Sequence, residues 1–330
     1  MNIKRDIGFA VVGLAILAFA VQRIGWEAVL GVIKVVRIGL PIILAISFVR
    51  LTLQTKSWSV ALQLDGIRAS VRELMFIRLA SQGIGYLTIL GPAASEPMKI
   101  SLLRNHPGSS HAASATTATL VDTGVYWFSS GLIGIAGCLS AGVLLAGNRS
   151  SMVSMAMLAA LFITAMFFML RPRSPLTALA DALGRRCPAW LREGARMDAA
   201  VREFASRHPS AVRTMFLLDL TCQALLATEV ITILICLKHP LHASTLLGLE
   251  AANRMVRILG GWMPARIGTD ESGAAAAFVA FGLPATSGLA LALTRRTRDL
   301  LACLIGLTWL AWRRLSGGNS PAPSARSLPV

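Results

Sequence analysis

Apolar residues fall into long, nearly uninterrupted stretches along the chain. These stretches cover residues 7–21, 38–49, 118–147, 151–170, 214–237, 272–292 and 299–312. Several approach the roughly 20 residues that an α-helix needs to cross about 30 Å of hydrocarbon. The alternation of apolar and polar residues that marks a transmembrane β-barrel is absent. The pattern therefore predicts an all-α, polytopic integral membrane protein.

Six continuous helices are predicted from these stretches. They cover about residues 7–24, 38–64, 113–146, 151–170, 214–237 and 286–314. The last could instead be two spans, over 272–292 and 299–312. The first could be a cleaved signal peptide, because Ala18-Phe19-Ala20 resembles a signal-peptidase site. We favour an uncleaved helix, since further spans follow it.

Two other regions are apolar but interrupted by glycine, proline and charged residues. The first covers 73–104, with a break predicted near 91–97, and the second covers 247–281. Each lies between two long predicted helices, and Glu96 in the first matches Glu271 in the second. We predict a re-entrant pair of half-helices in each region, which is how many transporters build a binding site near the bilayer midplane.

The arrangement of charge predicts the orientation of these helices. Residues 171–213 carry nine arginines against four acidic residues, so the positive-inside rule places this segment in the cytoplasm. Amphipathic helices on the inner leaflet are expected there. Counting crossings from a cytoplasmic N-terminus puts the C-terminus inside as well. The halves 38–146 and 214–314 then become inverted-topology repeats.

Residues 1–314 are thus expected to form one membrane domain, and 315–330 a disordered tail. Two groups of charges fit this topology poorly. Lys34 and Arg37 fall on the predicted outer loop, and three arginines fall in the outer part of the last helix. These three are Arg295, Arg296 and Arg298. They could extend to lipid headgroups, or the last segment could be two spans.

Composition agrees with a membrane protein, because only 15% of the residues are charged and 55% are hydrophobic. The net charge of +16 would suggest nucleic acid in a soluble protein. Here it indicates cytoplasmic loops facing anionic lipids, and no nucleic-acid partner is expected. The cysteines form no C-x-x-C pair and the histidines no H-E-x-x-H motif, so no metal or cofactor is predicted.

Ionisable groups within hydrocarbon cost several kcal/mol unless they are paired or hydrated, which makes them candidates for function. The predicted substrate-binding residues are Arg50, Arg78, Gln82, Glu96, Lys99, Asn253, Arg254, Arg257, Arg266, Asp270 and Glu271. Arginines and half-helix N-termini suit a phosphate. The two glutamates could neutralise a cationic headgroup, pair with arginines or carry a coupling proton.

The same residues also allow structural interpretations. Glu96 could lie at a helix N-terminus in a surface loop, and Asp270-Glu271 could cap the following helix. Arg254 and Arg257 could extend to the outer headgroups, and Arg50 could only pair within the bundle. Asp122 could be a structural buried acid.

Three segments resemble a known family. GPAASEPMKISLLR and MPARIGTDESGAAAAFVAFGL are similar to two signatures of the lysylphosphatidylglycerol synthase transmembrane-region family, also called flippase-like, and the Arg50–Trp58 neighbourhood is similar to a third. The resemblance covers about residues 40–314. Ala93, Ala94 and Ser95 stand where that family usually has glycine. The resemblance implies a flippase-like membrane domain, and the chain shows no soluble aminoacyl-transferase domain, so lysyl transfer is not expected.

The functional hypothesis is a lipid flippase or transporter of the cytoplasmic membrane, acting on a phospholipid or isoprenoid-type lipid. An anionic or zwitterionic headgroup is expected. One alternative is a membrane enzyme acting on a lipid-linked substrate, although no nucleophile or paired-acid arrangement is visible. The other is a non-catalytic subunit of a lipid or envelope pathway.

Overall fold

The computed structural model describes residues 39–88, 92–104, 112–144, 149–170, 175–184, 187–260, 266 and 268–317. Every regular element within these ranges is a helix, so the all-α prediction is confirmed. The predicted first helix at 7–24 lies outside the described residues, as do Lys34, Arg37 and the tail from 318 onward.

Eleven helices are found in this part of the chain. They are α1 Gly39–Leu64, α2 Val71–Leu87, α3 Pro92–Arg104, α4 Ala112–Leu144, α5 Arg149–Leu170, α6 Pro175–Leu183, α7 Ala189–Arg207, α8 Pro209–Cys236, α9 Ala243–Leu259, α10 Thr269–Ala280 and α11 Ala285–Gly317. Two of them contain segments long and apolar enough to cross a membrane, namely Ala115–Gly142 in α4 and Pro209–Cys236, the whole of α8.

The last helix differs from its prediction in two ways. Residues 285–317 form one continuous helix, so the division into spans at 272–292 and 299–312 is wrong. The helix also continues through residues 315–317, which were assigned to a disordered tail. The three arginines that suggested a division are buried inside the protein, and a continuous helix can therefore carry them.

Both interrupted regions contain two helices in contact with each other: α2 packs on α3, and α9 packs on α10. The predicted break at 91–97 is misplaced, because residues 92–97 are helical and Pro97 lies inside α3. Pro92 begins that helix, where a missing N–H costs no intrahelical bond. Glu96 therefore lies within a helix and not in a loop.

The helices on either side of α5, α6 and α7 form two series of similar lengths. In chain order, α1 to α4 have 26, 17, 13 and 33 residues, while α8 to α11 have 28, 17, 12 and 33. The packing is reciprocal. The long helix α4 contacts α9, the long helix α11 contacts α2, and α1 contacts α8.

Glycines allow these reciprocal contacts to be close. A Cβ added to Gly137 of α4 would lie 2.3 Å from the backbone oxygen of Leu247 in α9. A Cβ added to Gly306 of α11 would lie 2.4 Å from the backbone carbon of Leu79 in α2. Small residues let helix backbones approach in this way in membranes. The backbones of α4 and α9, and those of α11 and α2, are therefore in close contact.

Two hydrophobic clusters lie at opposite ends of α1. One includes Trp58, Leu74 and Phe204, and the other includes Ile43 and Phe278. Trp58 and Ile43 are separated by roughly 22 Å along the axis of α1 at 1.5 Å per residue. The middle of α1 therefore lies between the clusters, and polar side chains gather there.

Candidate functional site

A cavity of about 680 Å³ lies between helices of both series. Its polar lining residues are Arg50, Gln54, Arg78, Gln82, Tyr86, Thr88, Ser95, Glu96, Lys99, Asp122, Thr123, Tyr126, Ser130, Glu250, Asn253, Arg254, Arg257, Arg266, Arg295, Arg298 and Asp299. Seven arginines and one lysine face four carboxylates in this lining, which leaves a formal excess of four positive charges.

One ion pair in each series connects its second helix to its fourth. Arg78 of α2 lies 2.5 Å from Asp122 of α4, and Glu250 of α9 lies 2.9 Å from Arg295 of α11. All four side chains are at most 9% exposed. The two pairs occupy equivalent helices but with the charges exchanged, since the cation is on the second helix in one series and on the fourth in the other.

A third buried carboxylate lies beside the cavity at the contact of α1, α8 and α11. Both oxygens of Glu229 accept hydrogen bonds from Nη1 of Arg298 at 2.6 Å, and Ser47 donates to Oε1 at 3.1 Å. Arg295 lies 3.5 Å away. Because the Glu229 side chain is fully buried, these partners replace the water that a carboxylate would otherwise bind.

The Trp58 ring lies beneath the side chains of Arg78 and Lys99. Its indole N–H donates to Thr119 at 3.3 Å. Arg78 and Lys99 lie over the ring at 5.6 and 5.8 Å from its centroid, distances at which cation–π attraction contributes. Lys99 also donates to Glu96 at 2.9 Å. This part of the cavity lining therefore consists of an ion pair next to an aromatic ring.

Arg254 of α9 points inward, contrary to the prediction that it could reach outer headgroups. Its Nη1 donates to Ser130 at 2.7 Å and to Gln223 at 2.9 Å, and Glu250 lies 3.5 Å from its Nη2. Arg257, one turn further along α9, lines the same cavity and is half-buried.

The other end of the cavity is formed around Arg266, which has a left-handed backbone conformation with φ of 50°. Its guanidinium lies over the ring of Tyr86 at 5.2 Å. It also lies 3.5 Å from Asp270 and 3.6 Å from Asp299. Two acids thus partly neutralise this arginine.

Glu271 has a structural role at the start of α10. Its carboxylate accepts from the backbone N–H of Gly268 at 2.9 Å, which is the capping that the sequence suggested as one possibility. It also lies 2.7 Å from Arg296. Arg295, Arg296 and Arg298 are all buried and paired with acids, so the prediction that they extend to headgroups is wrong.

The chain is similar to a known family over most of its length. The family described as "Lysylphosphatidylglycerol synthase TM region" matches residues 7–306. The chain belongs to this family. The resemblance expected from the sequence is thereby confirmed. No curated protein and no solved structure matches the chain.

Membership of the lysylphosphatidylglycerol synthase TM-region family makes the chain a membrane protein related to lipid modification or flipping. The structure gathers most of the residues that the sequence singled out. Nine of them line the cavity: Arg50, Arg78, Gln82, Glu96, Lys99, Asn253, Arg254, Arg257 and Arg266. Asp270 and Glu271 do not line it. Whether the nine bind a substrate stays a prediction.

Sequence reasoning overlooked several polar residues of this region. They are Tyr126, Ser130, Glu229, Glu250 and Asp299, together with the inward orientation of Arg295 and Arg298. An acid within an apolar helix is the signal that could have identified Glu229. Glu229 lies inside the apolar stretch 214–237, and one acid changes the mean hydropathy of such a long stretch only slightly.

Proposed function

We propose that this protein is a lipid flippase or transporter, which moves a phospholipid or isoprenoid-type lipid between the leaflets of the cytoplasmic membrane without changing it chemically. One observation carries the proposal, which is the charged cavity enclosed by the helices of a lipid-related membrane family. A volume of about 680 Å³ lies in the range of small-ligand sites. It suits a headgroup whose acyl chains remain in lipid.

We further propose that the two helix series are inverted-topology repeats. The matching helix lengths, the exchanged ion pairs and the glycine contacts of Gly137 and Gly306 support a two-fold relation between them. Three membrane crossings, by α1, α4 and α5, separate the start of α1 from the start of α8. An odd number of crossings would reverse the second series, as in transporters with alternating access.

Packing at the helix ends is consistent with this topology. Ile67, after α1, packs in the same cluster as Phe204 of the basic segment. His239, after α8, lies 2.8 Å from Ser287 at the start of α11. The proposed crossings put the first two residues on the cytoplasmic side and the last two on the outer side.

Filling the cavity tests the proposed function. Ala302 of α11 lines the cavity, so Ala302→Trp should reduce lipid movement in reconstituted vesicles to the rate of protein-free vesicles. Leu304 lies two residues along the same helix and is 46% exposed outside the cavity. Leu304→Trp should therefore retain the wild-type rate. A fluorescent lipid with a quencher added outside provides the readout.

Two results would count against transport through this cavity. One is wild-type protein that moves no lipid faster than empty vesicles. The other is equal loss of rate in Ala302→Trp and Leu304→Trp, because a bulky side chain would then act irrespective of where it points.

A further inference from the structure

Every carboxylate in the cavity lining has a cationic partner within the protein. The pairs are Glu96 with Lys99 at 2.9 Å, Asp122 with Arg78 at 2.5 Å, Glu250 with Arg295 at 2.9 Å, and Asp299 with Arg298 at 2.8 Å. An amine brought in by a ligand would thus meet no acid that lacks a partner, and it would have to displace a buried arginine or lysine.

The cations of the lining are not all matched. No carboxylate among the residues that the structure describes lies within 4.0 Å of the guanidinium of Arg50 or Arg257. The Nε of Arg50 is buried without a hydrogen bond. Glu229 beside the cavity also pairs with Arg295 and Arg298. Counting it leaves a formal excess of three positive charges around the cavity, and Arg50 and Arg257 are the lining arginines without a direct carboxylate partner in the described part of the chain.

Neutral donors in the lining also lack acceptors. Asn253 is only 6% exposed, and its Nδ2 has no hydrogen-bond partner. The hydroxyl of Tyr86 is buried without one as well. Buried polar groups are normally satisfied, and an unsatisfied one indicates a missing partner. Since Asn253 and Arg257 are four residues apart, they lie on one face of α9.

Buried carboxylate oxygens without a hydrogen bond also exist in the part of the chain described, but outside this lining. They belong to Asp65, Asp219 and Asp270. The buried lining atoms without a hydrogen bond are thus all able to donate, and they suit a ligand that accepts. An oxyanion fits this requirement, and a phosphate offers the bidentate geometry that arginine prefers.

We infer that the cavity selects lipids whose headgroup carries a net negative charge, such as a phosphodiester with no compensating amine, over headgroups that carry an amine. This inference rests on the proposed function for its biological meaning. The inferred preference disfavours lysylphosphatidylglycerol, although the description of the family names the synthase of that lipid. The positive excess and the unpartnered donors favour the anion, and the paired acids disfavour the amine.

Lipid binding to the full-length protein in detergent tests this selectivity without requiring transport. Native mass spectrometry would compare phosphatidylglycerol, phosphatidylethanolamine and lysylphosphatidylglycerol at equal concentrations. Wild-type protein should retain phosphatidylglycerol roughly tenfold more than either other lipid, the effect of about one charge-assisted hydrogen bond. Equal retention, or preference for the lysyl lipid, would overturn the inference.

Arg257→Gln should abolish most of that tenfold difference. Asp299, the partly buried acid nearest in charge, keeps its ion pairs with Arg266 and Arg298 in this variant, and the fold is therefore expected to survive. Arg196→Gln is the matched control, since this α7 arginine is 73% exposed and outside the cavity. It should keep the wild-type preference. Loss of preference in both variants would argue against the site.

Should Arg257→Gln fail to give monodisperse protein, the comparison of three lipids on the wild type decides alone. Arg257→Lys, which keeps the charge, should keep the order of the lipids. Inorganic phosphate in equimolar amount should displace little phosphatidylglycerol. Full displacement would assign the site to a soluble anion and overturn its assignment to a lipid.

The same three lipids in the vesicle assay separate this inference from the proposed function. Selective binding without movement of any lipid would remove the transport proposal and leave the selectivity. Movement that is equal for all three, or fastest for the lysyl lipid, would leave transport and remove the selectivity.

Discussion

Glu229 holds two arginines where α1, α8 and α11 meet. Its carboxylate accepts two hydrogen bonds from Arg298 and lies 3.5 Å from Arg295. Desolvation makes such a carboxylate costly unless partners surround it. Removal of its negative charge leaves the guanidinium groups of Arg295 and Arg298 buried with fewer negative charges near them. Its contribution is therefore best measured by the loss on substitution, and not by the number of its contacts.

Glu229→Gln should lower the free energy of unfolding by about 3 kcal/mol, because a buried ion pair loses one partner. Glu203→Gln is the control. That glutamate pairs with Arg207 on the surface of α7, where its side chain is 58% exposed, and such pairs contribute about 1 kcal/mol or less. Thermal unfolding in detergent measures both. Similar shifts in the two variants would contradict a structural role for Glu229.

Among single residues, the sequence identified those that lie on interrupted helices. Arg78, Arg254 and Arg266 were selected because charges accumulate next to glycine and proline there. Glu229 was not selected because it is a lone acid in a continuous apolar stretch, and Arg298 was noted only as a charge that fits the topology poorly. Their pairing joins positions 69 residues apart, and only three-dimensional packing brings them together.

Glycine contacts decide how closely the helices of the two series approach. Gly137 of α4 faces the backbone of α9, and Gly306 of α11 faces the backbone of α2. A methyl group at either position would overlap main-chain atoms, which cannot move away as a flexible side chain can. The helix axes would have to separate, and the van der Waals contacts along both helices would weaken.

Gly137→Ala and Gly306→Ala should each destabilise the protein by about 1–3 kcal/mol through overpacking. Gly142→Ala lies in the same helix as Gly137, and its added Cβ would meet nothing within 4 Å. It should stabilise by up to about 1 kcal/mol, since alanine favours the helix. Thermal unfolding in detergent again provides the measurement. Destabilisation by Gly142→Ala would show that helix packing is not the cause.

The long helices were predictable from the sequence, and the breaks between helices were less so. The predicted 38–64 and 113–146 compare with observed helices at 39–64 and 112–144, because long apolar stretches bounded by polar residues leave few alternatives. The break placed at 91–97 was wrong, since proline can begin a helix as well as end one. Whether the paired short helices are re-entrant stays a prediction.

The topology of the whole molecule is defined by the face of the membrane on which each loop lies. The proposed inverted repeat puts residues 65–70, after α1, and residues 238–242, after α8, on opposite faces. Both loops contain exposed positions, including Arg68 and Leu241, the latter 50% exposed. Each can therefore carry a chemical label without disturbing the core.

In a variant without the five native cysteines, Leu241→Cys should react with a membrane-impermeant maleimide in sealed right-side-out vesicles. Arg68→Cys should react only after the membrane is permeabilised, because its loop is expected in the cytoplasm. The permeabilised sample of each variant is the control for reactivity. Labelling of both positions from the same side would exclude the inverted arrangement.

The reciprocal packing of the two series has a consequence for synthesis at the ribosome. Gly83 of α2 contacts Cys303 of α11, which follows 220 residues later. At about 5–20 residues per second, α2 waits about 10 to 40 s for this neighbour. Asp122, only 44 residues after Arg78, arrives much sooner. The ion pair between Arg78 and Asp122 can thus form before α11, the last helix that packs on α2, has been made.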